Sequence, residues 1–118
     1  MNINQKCKNI INSFKYAIQG FISSFKTERN MKIHVLVTII VIILGMFFKI
    51  ELIEWCIIAL AIGIVISAEL FNTAIETVVD MISPEKNEKA KLAKDVSAAA
   101  VLIVAISAAI VGIIIFVV

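Results

Sequence analysis

From Ile3 to Phe25 apolar side chains recur at steps of three and four. Ile3, Cys7, Ile10, Phe14, Ile18, Phe21 and Phe25 share one side, with Lys8, Lys15, Gln19 and Lys26 on the other. This spacing predicts an amphipathic helix over residues 3–26, lying in a membrane interface with its lysines toward anionic headgroups. The competing reading, a soluble helix packed on a partner, finds no water-soluble segment in the chain to serve as that partner. After the polar link Thr27-Glu28-Arg29-Asn30 the pattern turns from periodic to continuous. Ile33 to Phe48, Trp55 to Ala68 and Val96 to Val118 carry no formal charge. A membrane-crossing helix needs about 20 predominantly apolar residues, in a range of about 17–25. The last run meets this outright. The first meets it once Met31 and Ile50 are counted and the end lysines snorkel. The second does so only if its helix begins near Leu52 and continues through a stretch rich in carboxylates. The expected elements are therefore a surface helix over 3–26 and spans over about 31–50, 52–82 and 89–118, in one all-α membrane domain. In the link before the last span, Ser83-Pro84 reads as a helix start, a hydroxyl cap followed by proline at the first helical position.

Composition supports this reading. The 118 residues are 61% hydrophobic with a mean hydropathy of +1.03, against about 45–50% apolar in soluble domains. A net charge of +2 is too small to suggest nucleic acid as a partner. The distribution of charge is more informative. Lys6, Lys8, Lys15, Lys26, Arg29 and Lys32 precede the first span, and Lys86, Lys89, Lys91 and Lys94 lie between the second and third. Only Lys49 falls between the first and second. The positive-inside rule makes the lysine-rich side cytoplasmic, so the N-terminus is expected inside a multi-pass protein of the cell's inner (plasma) membrane. No secretory signal is expected, because the first apolar run begins late and follows a helical segment. Cys7 and Cys56 fall at different depths, so no disulfide is expected between them.

The carboxylates decide what such a chain is for. At about 100° per residue, Glu69, Asn72, Glu76 and Asp80 fall within a stripe about 80° wide, with Thr73 at its border. Glu69 lies about 25 Å along a helix that starts near Leu52, at about 1.5 Å per residue, just under the cytoplasmic headgroups. Lys94 and Asp95 open the third span on the same side, and Glu28 opens the first. Carboxylates with an amide are hard oxygen ligands suited to magnesium, which keeps waters and often binds through one or two carboxylates plus phosphate oxygens. Lysine supplies a point charge for phosphate, and a further carboxylate can take a proton from a hydroxyl. Together they compose a phosphoryl-transfer set. The four glycines, Gly20, Gly45, Gly63 and Gly112, form no phosphate-binding loop, so any nucleotide must be held by side chains and metal. Two other readings compete. A polar strip can be structural, pairing helices through Asn72 and Glu76, and Lys91 can pair locally with Asp95 four residues on. An ion conduit would place acidic groups near the midplane, where all three spans lack them. His34 reads as a hydrogen-bonded interfacial residue rather than a metal ligand. Small residues at Ala98, Ala99, Ala105, Ser107, Ala108, Ala109 and Gly112 suit close helix contacts, some of them with other subunits.

The motifs E-L-x-N-T-A-I-E-x-V-V-D at Glu69 to Asp80 and A-K-D-x-x-A-A-A-V at Ala93 to Val101 resemble the prokaryotic diacylglycerol kinase family, small trimeric integral-membrane lipid kinases. The resemblance covers nearly the whole chain. E-R-N-x-x-I-H at Glu28 to His34 looks like the Gram-positive branch, whose lipid substrate is generally undecaprenol. The resemblance implies a helical-bundle homotrimer that uses ATP and Mg2+ to phosphorylate a lipid alcohol, undecaprenol or alternatively diacylglycerol. By position, Glu69 would be the base acting on the lipid hydroxyl and would contact that substrate. Glu28 and Glu76 would hold the divalent cation and reach the nucleotide phosphates, with Asn72 in support. Glu85, Lys86, Asn87, Lys94 and Asp95 would contact the nucleotide, and Tyr16 its adenosine part. The stretch before Tyr16 departs from the pattern. Lys8 and Asn9 stand where Gram-negative members carry an arginine, so contacts from that region do not carry over.

Overall fold

The structure, a computed structural model, describes residues 2–118. Its helices are α1 (Ile3–Thr27), α2 (Arg29–Phe48), α3 (Leu52–Ile82) and α4 (Glu88–Val117). α2, α3 and α4 are each long and apolar enough to cross a membrane. The expected all-helical architecture, one amphipathic helix followed by three apolar ones, is the one observed.

The corners explain where the site residues sit. α1 opens on a capping box in which Asn2 Oδ1 accepts from the Gln5 N–H at 2.8 Å and Gln5 Oε1 accepts from the Asn2 N–H at 3.3 Å. It stops at Glu28, whose φ of −107° and ψ of 117° leave helical geometry for one residue. Glu28 donates its N–H to Ser24 O at 2.8 Å, closing α1, and accepts from the Lys32 N–H at 3.4 Å, opening α2. A single extended residue thus separates the amphipathic helix from the first span.

α2 ends because Lys49 adopts the left-handed region, φ 52° and ψ 53°. The following Ile50 N–H donates to Gly45 O at 3.2 Å. Gly45 is buried here for a steric reason. A Cβ at that position would stand 2.6 Å from Trp55 Cη2 and 3.2 Å from Ile50 Cδ1, so the bare backbone makes room for the indole at the start of α3. Trp55 therefore locks the α2–α3 corner.

The α3–α4 corner corrects one expectation. Ser83 does not start a helix. It closes α3, donating its N–H to Val79 O at 2.8 Å, and its hydroxyl donates to Glu85 O at 3.0 Å. α4 begins after Asn87, whose Oδ1 accepts from the Lys89 and Ala90 N–H groups at 2.8 and 3.4 Å. Asparagine is among the strongest N-cap residues, and here it fixes the start further along the loop than Pro84.

α3 and α4 make the most extensive contact, α2 leans on α3, and α1 touches both α2 and α3. Between α2 and α4 runs an apolar groove of about 520 Å³ floored by α3. Val37 and Val41 line one wall, Ala105, Ala108 and Gly112 the other, and Ile58 and Val65 the floor. Few apolar side chains are buried among the described residues: Met31, Ile58, Val65 and Val101. In lipid this is expected. Hydrocarbon is as apolar as leucine, so helix association rests on close packing and interhelical hydrogen bonds. Those bonds cluster at one end of the bundle.

Candidate active site

Glu69 shares with Met31 the deepest burial among the described residues, with no exposed surface. Neither carboxylate oxygen has a hydrogen-bond partner within 3.5 Å, although the Asn72 side chain lies near enough to bear on it. An ionisable side chain in a membrane span is costly and usually functional. The nearest cationic candidate is His34 of α2, with Nε2 3.6 Å from Glu69 Oε2, beyond hydrogen-bond reach. The carboxylates of Glu28 and Glu76 act on Glu69 through their fields, so all three belong to one acidic neighbourhood.

A cavity of about 320 Å³ opens beside Glu69. Its polar lining is Asn30 and His34 from α2 and Glu69 and Asn72 from α3, and α4 contributes Val101 and Leu102 among its apolar wall. The apolar groove shares Ile33, His34 and Ala105 with this cavity. Polar head and apolar tail thus form one continuous surface, with His34 at the junction.

Asn72 is the hub of the helix-to-helix bonding. It is buried. Its Oδ1 accepts from Ser97 Oγ of α4 at 2.6 Å, and its Nδ2 donates to Glu76 Oε1 at 3.2 Å. The carbonyl side of the amide is thereby pinned to α4 and the amino side steers the carboxylate one turn on. A second clamp ties α1 to the same turn of α3. Ser24 is buried, and its Oγ lies 3.1 Å from Thr73 Oγ1, which also donates to Glu69 O at 3.0 Å. Since Ser24 O accepts from the Glu28 N–H, one clamp fixes the corner carrying Glu28 against the turn carrying Glu69.

The remaining expected residues gather around the α3–α4 corner. Asp80, Glu85, Lys86, Asn87 and Lys94 line a second open cavity of about 520 Å³. Lys94 is not free there, because its Nζ donates to Asp80 Oδ1 across the two helices. Asp95 stands outside, paired with Lys91 at 2.6 Å along the surface of α4, the local pairing that its spacing allowed. Tyr16 is 65% exposed on α1 and is not among the residues lining either cavity. The stripe from Glu69 to Asp80 leads from the first cavity to the second.

Among the described residues, no three His, Cys, Asp or Glu side chains converge tightly enough to enclose a metal ion. Glu28 and Glu76, whose charges bear on Glu69, are both only partly buried. Sequence reasoning missed His34, Asn30, Ser97 and Ser24 as parts of the site. Asn30 and His34, four apart inside the E-R-N-x-x-I-H stretch, carried a legible signal, two polar residues on one face of a span.

Residues 15–116 match the family model described as prokaryotic diacylglycerol kinase. The chain belongs to the prokaryotic diacylglycerol kinase family. It is similar to the undecaprenol kinase of Bacillus subtilis (strain 168), 42% identical over 104 residues that cover 88% of this chain and 85% of that protein. It is also similar to the diacylglycerol kinase of Synechocystis sp., 41% identical over 92% of this chain and 62% of that longer protein. The diacylglycerol kinase of Haemophilus influenzae is 38% identical over 80% of each chain. Membership makes the protein a membrane lipid kinase.

Proposed function

We propose that this kinase transfers the γ-phosphate of ATP to the hydroxyl of undecaprenol at the cytoplasmic face of the plasma membrane. The observation that carries the proposal is Glu69: buried, unpartnered at both oxygens, and lining a polar cavity that joins an apolar groove through Ile33, His34 and Ala105. That is where a membrane-embedded alcohol must present its hydroxyl to water-borne ATP. The similarity to an undecaprenol kinase over most of both chains favours that acceptor.

In this reading Glu69 takes the proton of the lipid hydroxyl. The alcohol oxygen forms a bond to the γ-phosphorus as the bond from phosphorus to the β–γ bridging oxygen breaks, and ADP leaves. Glu28 and Glu76 are the groups that would hold magnesium. Their fit is chemical: two hard carboxylates without a third protein ligand suit an ion that keeps waters and completes its shell with phosphate oxygens. When bound, that ion neutralises charge on the phosphates. Asn72 orients Glu76 through its amide. Lys86 and Lys94 supply positive charge for the nucleotide beside Glu85 and Asn87, and Lys94 must exchange Asp80 for phosphate to do so. Asp95 and Tyr16 serve the nucleotide only from the periphery of this arrangement. The hydrocarbon chain follows the groove between α2 and α4. A homotrimer is the assembly that the resemblance implies.

Diacylglycerol is the second acceptor reading, favoured by similarity to kinases of that name. The test is phosphorylation from γ-labelled ATP with magnesium in mixed micelles, each lipid offered separately. Labelled undecaprenyl phosphate as the dominant product supports the proposal. A strong preference for diacylglycerol keeps the mechanism and replaces the acceptor.

A further inference from the structure

The mechanism above leaves two polar groups of the cavity, Asn30 and His34, without a task. His34 is partly buried, faces the unpartnered carboxylate of Glu69 at 3.6 Å, and belongs to both the polar cavity and the apolar groove. Its backbone is held in place: the carbonyl accepts from Thr38 Oγ1 at 2.7 Å, and the side chain stands one helical turn after Asn30 on the same face of α2.

A separation of 3.6 Å is too long for a direct hydrogen bond, yet it is short enough for a third atom to reach both groups. One oxygen can lie about 2.8 Å from the imidazole nitrogen and about 2.8 Å from the carboxylate at once, both ordinary hydrogen-bond lengths. An alcohol oxygen has the matching valences. Its proton points to the carboxylate, one lone pair accepts from an N–H donor, and the other lone pair remains for phosphorus. A carboxylate alone fixes only the proton and leaves the oxygen free to swing about that bond. Holding a reacting atom in one orientation can carry a large part of a rate enhancement.

We infer that His34 is a positioning residue that orients the acceptor alcohol, donating from Nε2–H to the hydroxyl oxygen while Glu69 accepts the hydroxyl proton. The inference rests on the proposed lipid-kinase reading of this site. His34 gives up no proton in the step: the hydroxyl proton passes to Glu69, the oxygen–phosphorus bond forms, and the histidine keeps its hydrogen throughout. Its chemistry selects for a hydroxyl at the head of an apolar chain. A headgroup without a lone pair to accept from Nε2 gains nothing from it.

His34→Leu removes the donor while keeping bulk, and His34→Gln returns an N–H near the position of Nε2. Steady-state transfer to undecaprenol and to diacylglycerol is measured in mixed micelles for both variants and the unsubstituted protein, varying lipid and ATP separately. Thermal unfolding is followed on each protein to verify folding. Lower kcat with lipid by 10-fold or more for His34→Leu, an unchanged KM for ATP, and recovery of most of that loss in His34→Gln support the assignment. Transfer within 3-fold of the unsubstituted protein for a folded His34→Leu overturns it. Equal impairment of both variants, or a loss that appears in the KM for ATP, overturns it too. Failure of the unsubstituted protein to phosphorylate either lipid is a different result, which defeats the lipid-kinase reading itself.

Discussion

Ser97 of α4 donates its hydroxyl to the Asn72 carbonyl oxygen of α3 at 2.6 Å, inside the bundle. That bond decides which way the Asn72 amide faces, and so turns its amino group toward Glu76. Ser97→Ala leaves a buried carbonyl oxygen unsatisfied, which costs about 1–3 kcal/mol. The expected outcome is a lower unfolding temperature together with a higher magnesium concentration for half-maximal activity, since Glu76 loses its guide. A thermal melt and a magnesium titration of activity check the two parts. An unchanged magnesium dependence would contradict the role given to the Ser97–Asn72–Glu76 chain.

The Ser24–Thr73 contact joins the end of α1 to the turn of α3 below Glu69. Ser24→Ala removes one hydroxyl of a mostly buried pair, an effect of about 1 kcal/mol on stability. Its larger consequence falls on Glu28, whose corner is closed by Ser24 O. Activity is expected to fall by a few-fold through weaker magnesium use, and Ser24→Thr, which keeps the hydroxyl, is expected to retain most of it. Parallel magnesium titrations of the two variants separate the outcomes.

The α2–α3 corner makes two predictions of opposite sign. Gly45→Ala drives a methyl into Trp55, overpacking that costs about 1–3 kcal/mol. Lys49→Gly relieves the left-handed backbone at φ 52°. A side chain there costs about 1–2 kcal/mol, partly offset by the greater freedom of glycine in the unfolded chain. Unfolding midpoints should fall for the first variant and rise or hold for the second. Neither residue lies near Glu69 along the chain, so kcat of the folded protein should be little changed.

Asp80 holds Lys94 across the α3–α4 corner. Asp80→Asn frees the ammonium group. Both side chains are substantially exposed to solvent, so the melting temperature is expected to move little. If Lys94 leaves this pair to meet the nucleotide, the KM for ATP changes while the KM for lipid does not. Initial rates with each substrate varied in turn measure this directly.

How much of this was legible before folding depends on range. The helices were readable because a period near 3.6 over residues 3–26 and three charge-free runs are local patterns. The strip from Glu69 to Asp80 was readable for the same reason, as was the Lys91–Asp95 pair. Contacts between helices were not. Whether Ser97 meets Asn72, or His34 meets Glu69, depends on how far each span is rotated and slid against its neighbour. Spans that are apolar on every face carry no periodic mark of that rotation. Ser83-Pro84 misled for a local reason: Asn87 offered a stronger cap four residues on. Asn30 and His34 were within reach of sequence reasoning, since two polar residues a turn apart on a span mark an inward face.

In the proposed mechanism the buried, unpartnered Glu69 takes the proton of the lipid hydroxyl. Such a group trades stability for chemistry, because an enclosed carboxylate without partners is costly to hold. Glu69→Gln keeps its shape and removes its basicity. The account predicts that lipid phosphorylation by Glu69→Gln falls by about 10²–10⁴, the range for loss of a general base, while its unfolding temperature equals or exceeds that of the unsubstituted protein. A folded Glu69→Gln that still phosphorylates lipid at near the original rate would contradict the account.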